Sequence, residues 1–169
     1  TLTASPKSLL SALRYFLLAC AQHALTRERK KDRNRSMMIH PAMATTSHTH
    51  YMGWLDKSLK TLKSFVEKQY KTRPDDVARR FQTEYDSLKK TYPKIKPLSE
   101  LLAAMVDEVF GELNHVVVNG TKDAEKKIDW KATPYWILVG GAKLDRGYTV
   151  EGLCVTYMPR PLGTSPAAD

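Results

Sequence analysis

Two glycines, Gly140 and Gly141, close an apolar run that begins at Tyr135, and Lys143 and Arg146 come directly after. Glycine permits a tight turn and a close backbone approach, because no Cβ intervenes. If Ala142 to Arg146 form a helical turn, its unsatisfied N–H groups face outward beyond the strand and make an anion site. Lys143 adds a point charge there, and Arg146 a planar fork suited to gripping phosphate through paired hydrogen bonds. The chemistry these types support is phosphate contact. A plain strand-to-helix turn carrying a surface lysine and arginine has the same spacing, so the pattern alone leaves both readings open.

A second cationic feature is "RERKKDRNR", Arg27 to Arg35, with six basic and two acidic residues. It fits a solvated loop or a phosphate-contacting patch, and Arg33 and Arg35 are its candidates for nucleic-acid contact. His40, His48 and His50 fall close together, but "HTH" in a loop is a poor metal pattern without further ligands. Capping and hydrogen bonding at a strand end suit them better. "DAEKK", Asp123 to Lys127, has the E-x-K flavour of a metal-dependent nuclease, yet no strand flanks it. No Walker-type phosphate loop occurs, and no Asp-Glu pair closes an apolar strand to hold magnesium. No Ser-His-Asp or Cys-His constellation stands out.

The elements that would position these groups can be read from periodicity. Ser5 to about Thr26 is expected to be a helix, with Leu9, Leu13, Phe16, Leu17 and Cys20 on one face. "SMMIHP", Ser36 to Pro41, reads as a buried strand. "AMATTSHTH" reads as a loop leading into a helix whose face is Tyr51, Leu55, Leu59, Leu62 and Val66. A second helix comes after "TRPDD", with Val77, Phe81, Tyr85, Leu88 and Tyr92 as its face and its acids where the dipole favours them. A third runs from Leu98 to Val109, with Gly111 expected to end it. "HVVVNG" reads as a strand and residues 121–134 as a charged loop. Trp136–Val139 and Leu153–Tyr157 read as two more buried strands. Continuous apolar strands alternating with helices indicate a mostly parallel sheet covered on both faces, a three-layer α/β domain. In such sheets ligands sit at the carboxyl ends of the strands, where Gly140 and Gly141 stand.

Composition narrows the partner. The chain has 169 residues, 42% of them apolar, which suffices for one domain with a real core. We read residues 1–35 as a leading helix and basic loop, and residues 36–161 as sheet and helices. The net charge of +9 suits a polyanion, most often nucleic acid. Two cysteines, Cys20 and Cys154, fit a reducing cytoplasm rather than a disulfide framework. Arg14 and Gln22 interrupt the first apolar stretch, so a membrane span is not expected. The chain starts without an initiator methionine, as a piece cut from a longer protein would.

The stretch "ILVGGAKLDRGYTVEGLCVTYMPRP", with "SMMIHP" and the helix before it, resembles the Z1 (Z-one) domain, a family that carries an endonuclease label. That family in turn is similar to the second RecA-like lobe of superfamily 2 helicases. There a strand leads to a turn, a short helix, Arg-Gly and the next strand. The resemblance implies a DNA-acting, ATP-driven protein of prokaryotic restriction-modification or phage defence, located in the cytoplasm. It places nucleic-acid backbone contact at Gly141, Ala142 and Lys143. It makes Arg146 the candidate catalytic residue, with Arg146 and Gly147 supporting the nucleotide-facing loop. Thr149 stands where many helicases carry an aspartate that touches the ribose. ATP and Mg2+ are expected in the full-length protein, held mainly by a lobe not in this chain, with none expected in the fragment alone. DNA, other domains of the same polypeptide and a methyltransferase or other restriction subunit are the expected partners, with no membrane. A metal-dependent endonuclease domain and a non-catalytic DNA-binding module are the alternatives.

Overall fold

A computed structural model describes residues 5–27, 33–41, 45–118, 128–141 and 149–159. Helix α1 (Lys7–Thr26) buries Leu9, Leu13, Phe16, Leu17 and Cys20, the stripe its spacing predicts, and Pro6 stands at its N-cap. Strand β1 (Arg35–Ile39) comes next, then α2 (Thr45–Gln69). The helix therefore starts inside the stretch read as a loop. His48 is buried three residues before Tyr51 and seven before Leu55, so the inward stripe of α2 extends one turn further back than its apolar residues reveal.

Helix α3 (Pro74–Thr91) has its proline in the first turn, Asp75 and Asp76 beside the positive end of the dipole, and Lys89 and Lys90 beside the negative end. The third predicted helix is found in three pieces. They are α4 (Leu98–Ala104), a π-helical turn (Met105–Val109) and a last α-helical turn, α5 (Phe110–Glu112). Gly111 does not stop the helix through a left-handed turn, since Gly152 is the one described residue with positive φ. Leu113 instead passes straight into extended backbone at φ −85°, ψ 123°.

Strands β2 (Leu113–Val118), β3 (Tyr135–Gly140) and β4 (Leu153–Tyr157) complete a four-stranded sheet in the order β2-β3-β1-β4, with every pairing parallel. An all-parallel sheet with helices is the α/β class expected, consistent with a three-layer fold. The two central strands are almost wholly buried, as their unbroken apolar runs require. Strand β4 differs from its sequence reading: it is an edge strand, and Leu153, Cys154 and Thr156 are exposed.

The larger core cluster joins the helices to one face of the sheet, through Met37, Ile39, Tyr135, Ile137 and Val139. A smaller cluster of Met38, Val118, Ile128, Trp136 and Leu138 covers the other face, with Trp130 and Val150 packed against it. Among the described residues, no helix is long and apolar enough to cross a membrane.

Candidate nucleic-acid interface

Because all four strands run the same way, the sheet has one amino edge and one carboxyl edge. His40 and Gly141, the residues that directly follow β1 and β3, stand at the carboxyl edge. His40 is fully buried there, and its backbone N–H donates to the Tyr157 carbonyl at 2.8 Å. Gly141, also buried, comes immediately after β3. The N-terminus of α1 reaches the same edge, where Ser8 Oγ lies 2.9 Å from the Tyr157 hydroxyl. The first turns of α2 lie there too. A Cβ built on Gly141 would stand 3.0 Å from His48 Cε1 and 3.1 Å from Nε2. The missing side chain of Gly141 is thus the space that the His48 ring fills.

His48 is only 5% exposed, and among the described residues both its ring nitrogens are buried without a hydrogen-bond partner. That is costly, since a buried polar group left unpaired forfeits its hydration. Beside it, His50 stacks on Trp54 at 6.4 Å, and Tyr51 meets Trp54 edge-on at 4.9 Å and Tyr157 at 6.3 Å. Burial, with Tyr157 adjoining, raises the Tyr51 phenol above its ordinary pKa, so it stays a neutral donor at physiological pH.

The amino edge is built differently. Ser36 Oγ donates to the Glu151 carbonyl at 2.6 Å, and Asn34 Nδ2 to the Trp130 carbonyl at 3.0 Å. Arg27 pairs with Glu108 at 2.6 Å, and His23 Nδ1 lies 3.2 Å from the Tyr135 hydroxyl. Burial raises the Tyr135 phenol strongly. It also raises the buried Cys20 thiol well above its usual value, the Arg35 charge opposing the rise. A thiol held protonated in this way is a poor nucleophile.

The sequence-predicted residues divide between the two edges. Gly141 lies at the carboxyl edge. Arg33 is exposed just ahead of β1, and Arg35 is the first residue of β1, with its Nη1 donating to the Asn34 carbonyl at 2.8 Å. Arg35 is level with Tyr135, six residues before Gly141, so both arginines stand roughly 20 Å or more from the Gly141 end, at about 3.3 Å per residue. Thr149 is exposed immediately before Val150, which packs on the smaller core cluster. Ala142, Lys143, Arg146 and Gly147 lie outside the described residues, as does "DAEKK". His48 is the residue that the reading of "HTH" as loop chemistry missed. Its position three before Tyr51 was the available signal.

Residues 8–169 match the Z1 domain. The chain belongs to the Z1 domain family. No curated protein and no solved structure matches it. The resemblance assigns ATP and magnesium mainly to a lobe outside this chain. Among the described residues no three of His, Cys, Asp and Glu gather where they could hold a metal ion, and the sequence has no phosphate loop.

Proposed function

We propose that this Z1 domain grips the sugar-phosphate backbone of DNA with the carboxyl edge of its sheet. In this reading it serves as the helicase-like lobe of a larger DNA-acting protein of the restriction or defence type. The observation that carries the proposal is the His48 ring, buried against Gly141 with both nitrogens unpaired among the described residues. A phosphate oxygen arriving at the Gly141 turn would accept the hydrogen bond that the protein leaves unmade once the ring turns outward from its buried position, and the bare glycine backbone lets it come close. The start of α2 adds the positive end of a helix dipole at the same edge. The net charge of +9 supplies long-range attraction for a polyanion.

The proposal extends to Ala142 and Lys143 as further backbone contacts, and to Arg146 as the residue through which this lobe acts on its neighbour in the full-length protein. The test is a DNA-binding titration by fluorescence anisotropy over a series of salt concentrations. Affinity is expected to fall steeply and linearly on a log–log plot as phosphate contacts release counterions. His48→Ala and Gly141→Val should each weaken it. Absence of DNA binding at low salt overturns the reading, and so does binding that both variants retain in full.

A further inference from the structure

On the helical side of the molecule, a cleft of about 460 Å³ opens between α1, α2 and α3. Its size falls within the range of roughly 300–1,000 Å³ typical of ligand sites. Its walls pair aromatic and aliphatic surface (Trp54, Leu62, Phe65) with three cations, Arg14, Lys57 and Arg80, and no carboxylate lines it. Arg80 sits over the Phe65 ring at 4.7 Å, so its charge is held in place rather than dispersed in solvent. Arg14 has one nitrogen engaged by Glu84 at 2.7 Å, while its Nε is buried and has no hydrogen-bond partner among the described residues.

A flat apolar body with a polar edge and a negative charge fits such a lining. A shallower hollow shares Thr61 and Phe65 with the cleft and adds Lys60 and Lys68. From Lys57 to Lys68 the basic track therefore runs along α2 for about 16 Å, at roughly 1.5 Å per residue. A track of that length suits a chain of phosphates better than a single small anion. It also leads away from the carboxyl edge, where α2 begins at Thr45 and His48 packs on Gly141.

We propose that an unpaired strand of nucleic acid runs along α2 and lodges a base in the cleft between α1, α2 and α3. The base lies against Trp54 and Phe65, and its phosphates lie on Lys57, Arg80 and Lys60. This rests on the backbone-binding reading above and adds to it a preference for single strands, since a base held in a duplex cannot leave its stack without cost. Stacking on an aromatic side chain is sequence-tolerant, so the cleft takes any base.

The experiment compares a single-stranded oligonucleotide carrying a fluorescent base analogue with the same sequence as a duplex and with a free mononucleotide, all at about 50 mM salt. The wild-type chain should bind the single strand about ten-fold more tightly than the duplex, with quenching of the analogue. The double variant Lys57→Gln, Arg80→Gln should lose most of that preference and leave duplex binding within a factor of about two. Trp54→Leu should abolish the quenching. Thermal melts identify any variant that has simply unfolded, and Lys90→Gln, at an exposed lysine that lines neither hollow, serves as the surface control. Saturable quenching by the mononucleotide alone, as tight as that by the strand, would assign the cleft to a free nucleotide and overturn the proposal. Equal affinity for single strand and duplex, or a preference untouched by all variants, overturns it while leaving backbone binding intact. Failure of every DNA to bind overturns both.

Discussion

The two edges of one sheet answer opposite demands. At the amino edge most polar groups have hydrogen-bond partners within the protein: Ser36 on the Glu151 carbonyl, Asn34 on that of Trp130, His23 on Tyr135; Glu108 Oε1 is buried without a hydrogen bond but is neutralised by its ion pair with Arg27. At the carboxyl edge, the most buried ionisable ring of α2 has none among the described residues. A fold gains nothing from an orphaned histidine, whose burial costs on the order of 1–3 kcal/mol. The difference fits an amino edge that holds the sheet together and, under the proposed function, a carboxyl edge that meets the nucleic-acid backbone.

The sharpest way to break the comparison is at the amino edge. Gly152 has φ +65°, and a Cβ there would stand 2.0 Å from the Asn34 carbonyl oxygen. The Gly152 carbonyl also accepts the Ser36 N–H at 2.9 Å, the bond that seats β4 beside β1. Gly152→Ala should cost about 3 kcal/mol or more, because side chain and backbone cannot both be accommodated. Denaturant melts check this, and a near wild-type midpoint would show that the edge yields more easily than its geometry indicates.

Next in size is the ion pair inside the helical layer. Glu84 is buried and accepts from Arg14 at 2.7 Å and Ser11 at 2.8 Å. Burial alone would raise its pKa, but those hydrogen bonds bring it below the ordinary carboxylate value. Since the folded pKa is the lower one, the contribution is complete above the unfolded value near 4 and is lost as pH falls through the folded value. Glu84→Gln should therefore cost about 2 kcal/mol at neutral pH and progressively less in acid. Melts at neutral pH and at pH about 3 test the sign.

Much of the fold is legible in the sequence. The unbroken apolar runs of β1 and β3 identify central strands, and Gly140-Gly141 marks a strand end. Strand β4 carries the same kind of run yet lies at an edge, because strand order is set by tertiary pairing rather than by local pattern. The π-helical turn at Met105–Val109 leaves no trace in helical periodicity. The placement of Arg33 and Arg35 was available in principle: residues ahead of a parallel strand stand at the opposite edge from those after one. His48 stayed hidden because a polar residue does not count towards an apolar stripe. Only the helix itself shows that it points inward.

The smallest expected effect is at Gly141. Its backbone needs no glycine conformation, and an added methyl would meet the His48 ring at 3.0–3.1 Å, which a side chain can relieve by shifting slightly. Gly141→Ala should cost about 1 kcal/mol or less in stability, yet it displaces the ring and should lower DNA affinity several-fold. Parallel melting and binding curves separate the two effects.

The central claim turns on His48→Leu, measured for thermal stability and for DNA affinity across a salt series. Leucine fills the buried site without an unpaired nitrogen, so the account predicts a melting temperature equal to or above wild type. It also predicts about ten-fold weaker DNA binding, with a shallower salt dependence if the ring helps to hold a phosphate in place. A variant that melts lower and binds DNA as the wild type does would contradict the account, because His48 would then serve the fold and not the ligand.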